Sequence, residues 1–294
     1  GYGTGEHAPG LKLPLEGQFT CWQNIIYAHC LAAQELRHTD AENRVGFVST
    51  GRICFPASEA KADVDAARAL TFACPDEDWA FTHTMSLDPL CLGRWPSPDL
   101  CGPQLSACIG AVPQYINDAL SLGRPDMLGL NIYNAAPVQM GTNGPCYVER
   151  PAGYAHTAMN WPVEPESLNW GPRYIQERYG LPMFIAENGL SCTDKIYRDG
   201  KVHDVERIDF LARYLEKLSE GIQAGAPVDS YVTPEPWCEG TSIGACWTTT
   251  SGTADTESVL VWCTSITLPG GASRKTVPSG MAKLRRPMAG PSDL

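Results

Sequence analysis

The chain has 294 residues, of which 43% are hydrophobic and 19% are charged, and its formal net charge at pH 7 is -11. A chain of this length can bury a sizeable core as one large domain or two small ones. The acidic balance argues against a nucleic-acid partner, which requires a basic face, and no apolar run is long enough to span a membrane.

The opening stretch, residues 1–10, is glycine-rich and is predicted to be a loop. It lacks the GxxxxGK[ST] pattern and no strand precedes it, so it is not a phosphate cradle. The 12 cysteines form no CxxC pair, so a zinc site is not expected, and no cofactor is predicted. Several cysteines lie in apolar runs, where a free thiol acts as a small hydrophobe. We therefore expect reduced thiols in a cytoplasmic protein whose natural N-terminus is missing, since the chain starts at Gly1.

Hydrophobic periodicity predicts helices and strands that alternate along the chain. His29, in the first helix, is interpreted as a satisfied core histidine rather than a ligand, and the LDP sequence at 87–89 is predicted to be a turn. The predicted helices cover residues 20–37, 61–74, 168–179 and 205–222, and the predicted strands cover 44–50, 127–133 and 183–186.

This alternation is typical of a parallel α/β architecture. A complete eight-stranded barrel needs about 250 residues, and more when it carries insertions. Three strands between residues 44 and 187 are too few, so the sequence predicts part of a barrel.

Glu187 stands at the C-terminal end of the third predicted strand, within the sequence LPMFIAENG at 181–189. An α/β barrel places its chemistry at this end of its strands. Taken alone, the segment favours a structural carboxylate that caps a helix or meets an arginine, because function cannot be inferred from fold position.

An ordered series of motifs changes that interpretation. The sequences GYGTGEHAPG, RVGFVSTG, LGLNIY, RYGLPMFIAENG and DGKVHDVERIDFL follow one another along the chain. In this order they resemble glycoside hydrolase family 1, the retaining β-glucosidases and their relatives on a (β/α)8 barrel. The resemblance runs from Gly1 to about Val228 and corresponds to the second half of the family. It implies an α/β fold of the (β/α)8 TIM-barrel type, incomplete, with about strands five to seven plus helices and an irregular tail.

The resemblance assigns roles to individual residues. It implies that Glu187 is the catalytic nucleophile, that the Tyr133 hydroxyl contacts its carboxylate, and that Asn131 lies in the sugar-binding pocket. Trp161 matches a tryptophan near the substrate entrance, although an ordinary packed tryptophan is an almost equal alternative. Thr50 stands where the family usually has asparagine, a departure that removes one expected polar contact.

Retaining glycosidases need two carboxyl groups about 5 Å apart, one as nucleophile and one as acid/base. In the family, the acid/base glutamate belongs to a TxNEP motif just upstream of the GYGTGEHAPG loop with which this chain begins. The partner carboxylate is therefore expected to be missing from its usual place. Glu235, in the sequence TPEPWC at 233–238, could be a displaced copy, but chance or a misjoined segment is the preferred interpretation.

The family pattern vanishes after Cys238, where the chain turns to threonine, serine, glycine and cysteine without periodicity. In a shifted reading frame, the codons of this tail can spell LDNYEW and other motifs of the family's C-terminus, in order. We therefore predict two parts: residues 1–228, the C-terminal half of a family 1 barrel, and residues 229–294, an aberrant tail that is out of frame from about residue 239.

Two functions are compatible with this sequence. The first is a β-glucosidase-type hydrolase that acts on β-glucosides or oligosaccharides by double displacement, with Glu187 as nucleophile. The second is a catalytically inactive fragment, or a weak carbohydrate-binding remnant, that lacks the acid/base glutamate. An open half-barrel also exposes strand edges and apolar surface, so self-association is predicted.

Overall fold

A computed structural model describes residues 1–226 and 228, together with the backbone of residues 246–247 and 261–262. The α-helices in these residues are α1 Leu15–Thr39, α2 Lys61–Phe72, α3 Thr84–Leu87, α4 Pro103–Gly110, α5 Gln114–Ala119, α6 Glu166–Tyr179 and α7 Val205–Gln223. The strands are β1 Gly46–Thr50, β2 Cys54–Pro56, β3 Met127–Asn131, β4 Ala136–Gly141, β5 Gly144–Tyr147, β6 Met183–Glu187, β7 Cys246–Trp247 and β8 Val261–Trp262. A π-helix at Asp88–Leu92 and a 3₁₀ helix at Leu120–Gly123 complete the set.

The centre of the fold is a parallel sheet with the strand order β1-β3-β6. Successive side chains of a strand point to opposite faces, which defines two surfaces. The covered face is formed by residues that are buried or packed against the core: Phe47, Ser49, Leu128, Leu130, Met183 and Ile185. The open face carries the alternate positions: Val48, Thr50, Gly129, Asn131, Phe184 and Ala186.

Helices α2, α6 and α7 close over the covered face. Their buried side chains, among them Phe72, Tyr174 and Tyr214, join Leu128 and Leu130 of β3 in one hydrophobic cluster. Burying a large apolar side chain contributes about 1.5–3 kcal/mol, so this cluster is the main source of stability of the sheet. A second cluster packs α1 against the segment 79–95 through Phe19, Trp79 and Trp95.

The open face has no helix layer over it within the described part of the chain. Val48 is 53% exposed and Phe184 is 38% exposed. The three strands form an open sheet with β1 at one edge and β6 at the other. The described residues therefore contain a three-stranded parallel central sheet without a closed barrel, as the sequence predicted.

The predicted elements match the observed ones within a few residues. The helix predicted at 20–37 is α1, and those predicted at 61–74, 168–179 and 205–222 are α2, α6 and α7. Helix α7 ends just before Gly225, whose φ of 96° lies in the left-handed region that suits glycine. The strands predicted around 44–50, 127–133 and 183–186 are β1, β3 and β6.

The turn predicted at 87–89 is wrong. The chain stays helical from α3 into the π-helix Asp88–Leu92, in which Pro89 occupies the first turn. Pro89 lacks the N–H that would bond to the carbonyl of Met85 one turn back, and that carbonyl accepts instead from Nε1 of Trp22 at 3.0 Å. The Asp88 side chain fixes this turn, since it accepts hydrogen bonds from Arg178 and Tyr179 of α6.

A small second sheet, with the order β2-β4-β5, was not anticipated from the sequence. Strand β2 pairs in parallel with β4, and β4 turns back into β5 as an antiparallel hairpin. Pro56 and Pro137 interrupt the donor pattern that marks a strand, so these elements carry little sequence signal.

The predictions for the tail lie almost entirely outside the described residues. This holds for Glu235, for the irregular character of 229–294 and for the change of frame near residue 239. The structure describes only the backbone pairing of β7 with β8 in this region. Among the described residues, no helix is long and apolar enough to cross a membrane.

Candidate active site

The carboxyl ends of the three central strands bring the predicted site residues to one level of the sheet. Thr50 of β1 pairs with Asn131 of β3, and Asn131 pairs with Glu187 of β6. The carboxyl ends of parallel strands form the edge at which α/β folds bind ligands. These residues, which are far apart in the sequence, thus form one row of paired residues across the sheet. We call the row of Thr50, Asn131 and Glu187 the rung.

A bulge places Glu187 on that rung. The register between β3 and β6 shifts after Leu130, so that Asn131 faces Glu187 and Ala186 is skipped. Bulges commonly re-aim a side chain next to a functional site. Without the shift, the alternation of β6 would set Ala186 opposite Asn131 and turn the carboxylate of Glu187 towards the covered face.

Tyr133 is the residue that holds the carboxylate of Glu187. Its hydroxyl donates a hydrogen bond to Oε2 of Glu187. The donor is a hydroxyl group and carries no positive charge. Both side chains are half-buried, so the carboxylate of Glu187 remains partly exposed on the open side of the sheet. The contact predicted from the family resemblance is present.

Helix α7 holds the backbone of Tyr133 in place through the side chain of Tyr214. The hydroxyl of Tyr214, a fully buried side chain, donates to the backbone carbonyl of Tyr133 at 2.9 Å. The same hydroxyl accepts a hydrogen bond from the backbone N–H of Glu164 at 2.7 Å. One of these bonds is buried and the other is partly buried, so Tyr214 connects the segment after β3 to the body of the fold.

Asn188 joins the end of β6 to the residue that follows β3. Its Nδ2 donates to the carbonyl of Ile132 at 2.8 Å, and the Ile132 N–H donates to the carbonyl of Glu187 at 3.0 Å. Asn188 is only 4% exposed. The sequence identified the ENG motif, but this brace between strand ends was missed, because it depends on which strands are neighbours.

Trp161 lies beside this group on a tight turn. Its ring centre is 5.4 Å from that of Tyr133, and the residue is 38% exposed. Asn160 adopts a φ of 60°, a left-handed conformation that asparagine tolerates, and Thr157 bonds both ways with Trp161. The backbone of Ala158 donates to the carbonyl of Ser191, which ties the turn to the segment after β6.

The structure therefore brings Glu187, Asn131, Tyr133 and Trp161 together at one end of the sheet. Oδ1 of Asn131 is buried and accepts no hydrogen bond from the described residues. A buried acceptor without a partner is costly, so this oxygen is suited to a ligand hydroxyl. Thr50 is exposed on the same rung, and its hydroxyl donates a long hydrogen bond of 3.5 Å to the carbonyl of Asn131.

A second carboxylate, Glu164, lies close to the site but is engaged elsewhere. It accepts a hydrogen bond from the Tyr154 hydroxyl at 2.7 Å and pairs with Arg150 at 3.7 Å. Burial raises the pKa of its carboxyl group. The rung itself holds no carboxyl group besides Glu187 within the part of the chain that is described.

One group of side chains has the composition of a metal site. Cys192, Asp194 and Asp204 place their ligand atoms within 4.8 Å of one another. Arg207 donates to both aspartates, at 2.7 and 2.6 Å, so a guanidinium already compensates their charge. This arrangement favours an ion-pair cluster over a metal centre.

Comparison with known proteins shows which family and which proteins the chain is similar to. The model of glycosyl hydrolase family 1 matches residues 1–237 of the chain. A 1,4-beta-D-glucan glucohydrolase of Thermotoga neapolitana is 31% identical over 252 residues, which cover 81% of this chain and 55% of that protein. Beta-glucosidase A of Thermotoga maritima is 30% identical over 252 residues, covering 81% and 52%.

Solved structures give the same result. A structure of the beta-glucosidase from Thermotoga maritima in complex with glucoimidazole is 29% identical and superimposes with a TM-score of 0.60. The match covers 77% of this chain and 49% of that chain. The chain thus spans about half the length of the curated relatives it matches.

Proposed function

The chain belongs to glycosyl hydrolase family 1, and from this premise we propose that it carries the nucleophile side of a retaining β-glucosidase site. Glu187 is the nucleophile of this proposal. The observation that supports it is the shared rung of Asn131 and Glu187, with the Tyr133 hydroxyl bonded to the carboxylate.

The proposed chemistry begins with attack of the Glu187 carboxylate on the anomeric carbon of a β-glucoside. Tyr133 donates to Oε2, which leaves Oε1 as the attacking atom. A covalent glycosyl-enzyme intermediate forms, and the leaving oxygen departs with a proton from a general acid. Asn131 offers Oδ1 to a sugar hydroxyl, and the exposed ring of Trp161 offers an apolar surface to the sugar.

The second carboxyl group determines how far this reaction proceeds. A retaining enzyme uses it first as acid and then as base, at about 5 Å from the nucleophile. Since the described part of the rung lacks it, the first step should depend on a leaving group that needs no proton. The second step, hydrolysis of the intermediate, should be slow.

A dinitrophenyl β-glucoside tests this proposal because dinitrophenolate leaves without protonation. We expect a stoichiometric burst of dinitrophenolate, followed by slow turnover that added azide accelerates. The variant Glu187→Gln should release none above background while keeping the same circular dichroism spectrum. A folded wild-type chain with no burst above that of the variant would refute the role of Glu187.

The alternative is a weak carbohydrate-binding protein without turnover, which is favoured because the described residues place no second carboxyl group on the rung. Titration calorimetry with glucoimidazole separates the two. Binding that persists in wild type without any burst supports the alternative, whereas a burst excludes it.

Self-association is a further part of the proposal. The open face exposes Val48 and Phe184, and α1 exposes a stripe that includes Ile25 and Leu36, at 53% and 50% exposure. Apolar patches of this kind mark interaction surfaces or aggregation sites. Sedimentation at several concentrations should show dimers or larger species; a concentration-independent monomer would contradict this.

We also propose that residues from about 239 onward are translated out of frame. The family match ends at residue 237, close to the point where the family pattern is lost. The nucleotide sequence decides the matter: a single-base insertion or deletion near codon 230 is expected, and an unshifted frame with no family motifs would contradict it.

A further inference from the structure

Two cysteines face each other directly across two loop segments. Cys74 follows α2 and Cys101 precedes α4, and the two form a parallel bridge. The Cys74 N–H donates to the Leu100 carbonyl at 2.7 Å, and the Gly102 N–H donates to the Cys74 carbonyl at 3.0 Å. Paired parallel backbones lie about 4.8 Å apart, within the about 4.4–6.8 Å between Cα atoms that a disulfide spans.

The two thiols are opposite each other in the bridge and differ in burial. A hydrogen bond from the thiol of Cys101 lowers the pKa of the Cys74 thiol, and the same bond raises the pKa of Cys101. Cys74 is fully buried, and its sulfur also lies 3.5 Å from the Thr82 hydroxyl, whereas Cys101 is partly exposed. Cys101 is thus the thiol of the pair that a reagent in solution can reach first.

Other buried cysteines of the chain differ from this pair. Burial raises the pKa of Cys54 to about 11 and that of Cys91 to about 12. Neither of these buried thiols lies opposite a second cysteine in a backbone bridge of the described residues. A partly exposed thiol with a second thiol directly opposite is the arrangement in which a mixed disulfide can pass on to a protein disulfide.

We propose that Cys74 and Cys101 are a redox pair that a low-molecular-weight disulfide closes to an intramolecular disulfide. In the first step, the Cys101 sulfur attacks the oxidant, forms a mixed disulfide and releases one small thiolate, which takes up the Cys101 proton. In the second step, the Cys74 sulfur attacks the Cys101 sulfur and displaces the second small thiolate, which takes up the Cys74 proton. Two protein thiols are oxidised, and the oxidant is reduced to two small thiols.

A disulfide between Cys74 and Cys101 would close the loop of residues 75–100, which contributes to both hydrophobic clusters. Residues 75–100 include Trp79 and Trp95 of one cluster and Leu87 of the other. They also include Asp88, which α6 holds through Arg178 and Tyr179. Closing this loop restricts the unfolded chain, so the oxidised form is the more stable one.

The experiment is oxidation of the folded full chain with oxidised glutathione, followed by non-reducing peptide mapping. We expect one new crosslinked peptide that joins Cys74 to Cys101, and a melting temperature higher by about 5–15 °C. Dithiothreitol should reverse both changes. Incubation should extend over hours, because exchange at the Cys101 thiol is slow.

Matched variants keep the test decisive. Cys101→Ser and Cys74→Ser should lose the crosslink and the thermal shift, whereas Cys108→Ser, which changes another partly exposed thiol in α4, should keep both. Cys101→Ser alters a half-exposed side chain and is therefore the variant expected to fold normally. Glutathione that stays attached to Cys101 without a crosslink, two thiols that remain free, or an equal thermal shift in Cys101→Ser would each overturn the proposal.

Discussion

On each side of the central sheet, a tyrosine hydroxyl donates a hydrogen bond to a carboxylate, and the two carboxylates differ in their other partners. On the covered side, Asp88 is 2% exposed and accepts hydrogen bonds from the Tyr179 hydroxyl at 2.8 Å and from the Arg178 guanidinium at 2.9 and 2.6 Å. On the open side, Glu187 accepts a hydrogen bond from the Tyr133 hydroxyl, and no cation of the described chain pairs with it.

Asp88 and Glu187 differ in whether a cation pairs with the carboxylate and in how exposed the carboxylate is. A bidentate arginine neutralises Asp88 and occupies both of its oxygens, so this carboxylate can only stabilise the fold. Glu187 has no such cation among the described residues, and it lies half-buried at the edge formed by the strand ends. A tyrosine next to a carboxylate therefore does not mark an active site by itself, and the proposal for Glu187 depends on its place at the strand ends without a pairing cation.

The largest expected effect on stability comes from Asp88→Asn. Removing one member of a buried ion pair leaves the Arg178 charge without its partner, which should lower the free energy of unfolding by about 3–4 kcal/mol. Urea denaturation measures this loss. Asp209→Asn, which breaks an exposed pair with Arg213, is the control and should leave the midpoint unchanged. Equal midpoints for the two variants would show that the covered side does not depend on the pair.

His83, beneath β1, should make the covered side sensitive to acid. Its Nδ1 lies 2.9 Å from the Ser49 hydroxyl, and burial lowers its pKa to about 4. The unfolded chain takes up the proton near pH 6.5, before the folded chain can, so stability is present above that pH and is lost as the pH falls towards 4. Between pH 7 and 4.5, His83 should cost about 2–3 kcal/mol.

The comparison for His83 is the variant His83→Asn, which has no titrating ring. Urea unfolding of both proteins at several pH values separates the histidine from the carboxylates, since these titrate in both. A difference between the two proteins that stays constant from pH 7 to 4.5 would contradict the assignment.

Tyr214→Phe links the two sides, because this buried hydroxyl bonds to the backbone of Tyr133. Loss of its two hydrogen bonds should lower the free energy of unfolding by about 1–2 kcal/mol. If Tyr214 positions Tyr133, the dinitrophenolate burst should also slow by about tenfold at saturating substrate. Tyr179→Phe removes a buried tyrosine hydroxyl on the covered side, and here the burst rate should not change.

The smallest effect on stability should come from a change of the proposed nucleophile. Glu187→Gln keeps the shape of the side chain and the Tyr133 hydrogen bond, and it removes a half-exposed charge that no described cation compensates. The free energy of unfolding should change by no more than about 0.5 kcal/mol. A loss as large as that of Asp88→Asn would mean that Glu187 is a structural carboxylate after all.

The elements of the sheet were predictable because their apolar spacing is local. Residues 127–133 and 183–186 carry enough periodic signal to be identified as strands, and the position of Glu187 at a strand end follows from them. The resemblance to the family added the partners Asn131 and Tyr133, which no single-sequence pattern could have joined to Glu187 across more than fifty positions.

What could not be predicted depends on tertiary neighbours. The bulge that skips Ala186 arises only when β6 lies against β3, and the Asp88–Arg178 pair joins positions far apart in the chain. The sequence LDP was predicted to be a turn for the same reason, since the contacts that keep this segment helical come from α6. The second sheet was missed because its strands are short and contain proline.

Covalent trapping with an activated 2-deoxy-2-fluoro-β-glucoside tests the central claim most directly, because the fluorine slows hydrolysis of the intermediate. Peptide mapping of the folded, treated chain should find the fluoroglucosyl group on the peptide that contains Glu187, and on none that contains Asp88. Glu187→Gln should remain unlabelled. A folded chain without any adduct, or with the adduct on another carboxylate, would contradict the account.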